Sequence, residues 1–125
     1  MLHSDITERI IGAFFLVYRD LGFGFLEKNY CKALVVEFRR LGLAYEREVV
    51  VEVQYSGVSI GNYRLDLVVD KRVLVEVKST KGLTDADTRQ VLNYLKATKL
   101  EVGLLLHFGP SPRFFRFAHS NDRKL

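Results

Sequence analysis

The sequence predicts an α/β fold of the α+β type, a central mixed β-sheet in a three-layer arrangement flanked by helices. Its expected order is helix, helix, three strands, helix, strand, strand. Three observations predict it. Apolar residues recur at helical spacing through the first third of the chain. From Tyr63 to Lys78 they alternate with polar residues around a charged break at Lys71-Arg72, the pattern of a hairpin. A helical stretch then separates that hairpin from the nearly continuous apolar run Val102–Phe108. A helix joining two strands of one sheet implies a parallel crossover.

Ser4 opens the first helix, where Asp5 can cap and Glu8 can reach back as a capping box. Ile10, Phe14, Val17, Tyr18 and Leu21 follow at helical spacing, and Gly22 stops the helix. The Gly22-Phe23-Gly24 elbow leads into a second helix, from about Phe25 to Leu41, ended by Gly42. Its stripe Glu27, Cys31, Leu34, Phe38, Leu41 is apolar except at Glu27. A first-turn carboxylate either complements the helix dipole or points inward to a cleft shared with other acids, and local sequence leaves both open. Cys31 is the single cysteine, which excludes an internal disulfide and suits a small apolar filler.

Glu48–Tyr55 reads as a strand, Ser56-Gly57 as a turn, and Val58 onward as a long strand with a bulge or bend at Gly61. A three-residue turn, Asp70-Lys71-Arg72, pairs Val69 with Val73, Leu67 with Val75 and Asp66 with Glu76. A two-residue turn would pair odd positions with even ones and ruin the face. In this register Leu65, Leu67, Val69, Val73, Val75 and Val77 form one apolar face. Arg64, Asp66, Glu76 and Lys78 gather on the other. Opposed side chains have Cβ atoms about 5 Å apart. Two carboxylates so placed repel unless a cation lies between them or one is protonated. An Asp, a Glu and a Lys converging there have the residue types of a divalent-metal site with a cationic helper. The plainer alternative is a solvated face of ordinary surface ion pairs.

After the loop Ser79–Gly82, Thr84 caps a helix running to about Thr98. Val91, Leu92 and Leu95 form its buried stripe, while Gln90 and Tyr94, four apart, share a neighbouring face. Val102–Phe108 is expected to be covered on both sides. Gly109-Pro110-Ser111-Pro112 is a turn, Arg113–Ala118 an edge strand, and the basic tail from about 119 to 125 is expected to fray.

Residues 1–125 suffice for one domain with its own core. A net charge of +4 admits a polyanionic partner. No apolar run spans a membrane, and the first residues lack the basic-then-apolar pattern of a signal peptide, so a cytoplasmic protein without a membrane partner is expected. Gly57-Val58-Ser59-Ile60-Gly61 spells a nucleophile-elbow motif but lies between two strands, where that elbow needs a following helix. His3, His107 and His119 are scattered and lack cysteine partners, which argues against zinc.

Gly24-Phe25-Leu26-Glu27-Lys28-Asn29-Tyr30 resembles the signature of the GxxExxY proteins of the PD-(D/E)XK nuclease superfamily. The resemblance continues through Tyr63-Arg64-Leu65-Asp66, Glu76-Val77-Lys78, Gln90 to Leu95 and Gly103 to Leu106. It implies a restriction-endonuclease-like fold and Mg2+-dependent phosphodiester hydrolysis, with Mn2+ able to substitute. It further implies Asp66, Glu76 and the Val77 carbonyl as metal ligands, Glu27 completing the acidic cluster, Lys78 stabilising charge in the reaction, and Gln90 bracing the site. Arg64, Lys81 and Arg89 are then candidates for nucleic-acid contacts, with DNA expected ahead of RNA and a homodimer compatible with the reading. The competing expectation is a nuclease-like domain that binds nucleic acid or a protein without cutting.

Overall fold

The computed structural model describes residues 1–124. Helices α1 (Ser4–Leu21) and α2 (Glu27–Leu41) precede strands β1 (Tyr45–Tyr55), β2 (Val58–Val69) and β3 (Val73–Lys78). Helix α3 (Asp85–Lys96) then leads to β4 (Val102–Phe108) and β5 (Pro112–Ala118), and a short 3-10 turn occupies Asn121–Arg123. The strands lie in chain order in one sheet, antiparallel except for the β3–β4 pair that α3 connects. This is the expected mixed sheet. Among the described residues no helix is long and apolar enough to cross a membrane.

The apolar stripes of α1 and α2 meet on one face of the sheet. Ile10, Phe14, Tyr30, Leu34 and Phe38 pack there with Leu67, Val69, Val75, Val77, Leu104 and Phe108. Gly22 and Gly42 end the two helices with φ of 67° and 69°, a region that favours glycine. The capping box expected at Asp5 and Glu8 does not form. His3 takes the N-cap position without a side-chain bond, and Asp5 turns to Arg72 at 3.4 Å. A guanidinium from the β2–β3 turn outcompetes a local cap for that carboxylate.

The opposite face carries α3, whose Val91, Tyr94 and Leu95 pack on Leu65, Val68, Leu74 and Leu105. Tyr94, not the expected Leu92, completes the buried stripe. Gly103 lies below it because a Cβ there would stand 3.0 Å from Val91 Cγ1. The β2–β3 register is the one expected from a three-residue turn, with Leu67 opposite Val75 and Val69 opposite Val73.

Two expectations about the faces fail. The even-numbered face is not a charged one, since Val68 and Leu74 are buried in it, and Leu65 packs with them and not with Leu67. Alternation therefore breaks at Asp66, across from the stretch of β1 where Glu48 has a φ of 51°. A sheet covered by helices on both sides needs apolar residues on both, so charge can collect only at one end.

In the β1–β2 hairpin Ser56 and Gly57 both take positive φ, as a two-residue turn with the right twist requires. The expected bulge beside Gly61 appears as a register shift between Val53 and Gln54. Residues 119–124, expected to fray, are fastened: Lys124 Nζ donates to the carbonyls of Thr98 and Leu100 at 2.9 and 2.7 Å, and Asn121 binds Lys99 O and Glu101. Residue 125 lies outside the described residues.

Candidate active site

Beyond Leu67 and Val75 the β2–β3 ladder is replaced by two side-chain bonds. The Asp66 N–H donates to Glu76 Oε1 at 3.0 Å, and the Val77 N–H donates to Asp66 Oδ2 at 2.8 Å. Each carboxylate thus takes up an amide that would otherwise be orphaned as the strands part. The pair expected from the register is present, and Glu76 is only 3% exposed. Burial pushes its carboxyl up to about 9, and the neighbouring Asp66 charge adds to the shift.

Lys78 lies two residues on and is paired with Asp87 of α3, Nζ to Oδ1 3.9 Å. Asp87 also accepts the Thr84 N–H at 2.9 Å while Thr84 Oγ1 accepts from Asp87 N–H, so one residue both caps α3 and holds the lysine. The sequence reading missed Asp87, although Thr84-x-x-Asp87 is a visible capping signal. Glu27 starts α2 at the rim. Partial burial raises its carboxyl, Lys78 pulls it back and Asp66 raises it again, so it shares the field of the site. Its elbow is fixed by Tyr30, whose hydroxyl donates to Gly22 O at 2.5 Å and accepts from Phe25 N–H at 3.2 Å, and by Ser79 Oγ donating to Phe25 O at 2.6 Å.

The expected three-carboxylate cluster around an ion is not formed. Among the described residues no three His, Cys, Asp or Glu side chains stand close enough to hold a metal together. Glu27 belongs to an exposed helix start, whereas Asp66 and Glu76 are drawn inward by backbone amides. The inner pair still fits a small divalent cation. Mg2+ is commonly held by one or two carboxylates, with waters and phosphate oxygens completing its octahedron. A buried carboxyl held far above its ordinary range beside a second carboxylate is a place where positive charge is wanted.

The profile of the PD-(D/E)XK nuclease superfamily matches residues 4–117. The chain belongs to the PD-(D/E)XK nuclease superfamily. No curated protein matches it. Among solved structures it is similar to the crystal structure of SSO0001, with a TM-score of 0.59 and 21% identity, over 96% of this chain and 61% of that one. This likeness concerns the fold. The present chain spans less than two thirds of that protein's length.

In this superfamily domain the remaining predicted residues are spread around the pair. Gln90 sits on α3 with a buried Oε1 that has no hydrogen-bond partner. Val77 is fully buried in β3. Arg64, Lys81 and Arg89 are exposed on β2, the β3–α3 loop and α3, and none is in an ion pair among the described residues. His107, paired with Lys78 across the parallel strands, supports the loop behind the site, with Nε2 at 2.7 Å from Thr80 O. Its ring fills the space a Cβ on Gly109 would need, at 2.5 Å.

Proposed function

We propose that this domain is a Mg2+-dependent nuclease that hydrolyses phosphodiester bonds at the Asp66–Glu76 pair. The observation that carries the reading is Glu76, buried, opposed to Asp66 and raised to about 9, with Lys78 two residues away. Asp66, Glu76 and the Val77 carbonyl would hold the ion. When bound, the ion supplies Lewis acidity for attack on phosphorus. Lys78, kept in place by Asp87, offsets negative charge on the scissile phosphate or holds the attacking water. Gln90 braces the pair from α3. Glu27 acts from the rim through its charge and through water, and the Gly24–Tyr30 segment that positions it supports a place among the GxxExxY proteins.

Among the described residues no third carboxylate stands beside the inner pair, which favours one competing reading, a domain that binds nucleic acid without cutting. Incubation with Mg2+ or Mn2+ and a panel of single-stranded, duplex and branched DNA and RNA separates the two. Cleavage that Glu76→Ala abolishes is the expected result. No cleavage of any substrate, together with no divalent-ion binding by calorimetry, would establish the competitor.

A further inference from the structure

Beside the carboxylate pair runs a trough between α3 and the β1–β2 hairpin. Two adjoining cavities of about 260 and 750 Å3 share Tyr63 and Asn93 as common walls. The smaller reaches Arg89 and Gln90, and the larger ends at Lys96, His119 and Arg123. We infer that this trough seats a single strand of nucleic acid beside the carboxylate pair, one base stacked on Tyr63 and the backbone running over Lys96 and Arg123. The inference rests on the phosphodiester-cleaving reading for its catalytic meaning, but the binding it describes stands without cleavage.

Tyr63 lies on β2, the strand that carries Asp66, and Gln90 of α3 lines the smaller cavity. Tyr63 lies against Tyr94, ring centroids 5.1 Å apart, and the Tyr94 phenol is raised to about 12, first by burial and then by the charges of Glu76 and Asp66. Tyr94 is buried, whereas Tyr63 remains 40% exposed, so the pair forms a supported platform with an open face. Stacking on an aromatic ring accepts any base and requires that base to be out of a duplex stack.

Arg89, Lys96 and Arg123 join none of the ion pairs among the described residues. His119 is held below its ordinary value by burial and then by Arg123, Lys124 and Lys96, so the far end is cationic. Among the described residues Glu52 is the one carboxylate lining the larger cavity, and it accepts a bond from Gln54 at 2.8 Å. Lys124 is spent on carbonyls and pins the turn that carries Arg123. A cationic groove with an aromatic platform is the arrangement that tracks a single strand.

Fluorescence anisotropy in EDTA, with labelled oligothymidylate, oligouridylate and a DNA duplex, tests this apart from cleavage. A single strand should outbind the duplex, and comparing the thymidylate and uridylate arms assigns DNA or RNA. Tyr63→Ala should weaken single-strand binding about 10-fold or more, and Tyr63→Phe should retain it. Lys96→Ala with Arg123→Ala should lower the slope of log K against log salt by about 1.4. Equal or tighter duplex binding, no binding of any arm, or wild-type affinity in both trough variants overturns the inference. If the variants lose binding while the wild type cuts nothing with Mg2+ or Mn2+, the trough stands and the nuclease reading fails. If cleavage proceeds and the variants bind as wild type, the reverse holds.

Discussion

Under α1 and α2 the sheet buries an uninterrupted apolar layer, in which Phe108 stacks on Tyr30 and meets Phe14 edge to face. Under α3 the layer is thinner, and it gives way at one end to Asp66, Glu76 and Lys78. The first face buries large side chains completely, while the second keeps one buried carboxyl and one unpartnered amide oxygen. Buried polar groups without full partners are costly, and a domain can hold them only where another layer supplies the stability. The comparison teaches that α1 and α2 carry the fold so that the α3 side can carry charge.

The sharpest test of that division is a pair of substitutions. Glu76→Gln, which keeps the acceptor for the Asp66 amide, should reduce cleavage by at least about 10^3-fold, several kcal/mol of lost transition-state stabilisation. Its thermal melting without metal should match or exceed wild type. Phe38→Ala, on the other face, should cost about 3–5 kcal/mol in denaturant unfolding and leave cleavage per folded molecule unchanged. A Phe38→Ala protein that stays stable but loses activity would break the comparison.

pH sharpens it further. The folded Glu76 carboxyl lies at about 9 against an ordinary value of 4.5, so the native state keeps a proton that the unfolded chain releases. Stability from this group is full below about 4.5 and is lost as pH rises towards 9. The melting temperature of metal-free protein should fall across that window, by the equivalent of a few kcal/mol. Mn2+ should restore it at the alkaline end, and Glu76→Gln should flatten the profile. The smallest effect is expected at Asp87→Ala. It removes a cap and the partner of Lys78, costing about 1 kcal/mol in melting experiments with a modest loss of cleavage.

Much of this was legible because it depends on local period. The three-residue turn follows from matching odd positions across the hairpin, and that register points Asp66 towards Glu76, where two side-chain bonds take over from the ladder. The helix ends at Gly22 and Gly42 follow from backbone freedom. What stayed hidden depends on partners distant in sequence. Asp5 leaves its cap for Arg72, Leu65 joins the α3 side, and the basic tail is held by carbonyls after α3. Glu27 illustrates the limit: its spacing puts it on the inward stripe, but a helix's first residue sits at the rim, and only the elbow held by Tyr30 decides how far in it reaches.

The mutual grip of Asp66 and Glu76 on each other's strand has a consequence for descendants of this chain. Either acid could be discarded only by a lineage that also rehoused an amide proton left facing the interior. Silencing the chemistry by shortening a side chain would therefore loosen the splay of β2 and β3 as well. An inert relative that kept its shape would be expected to carry amides at these two positions, retaining the carbonyl acceptors while giving up the charge.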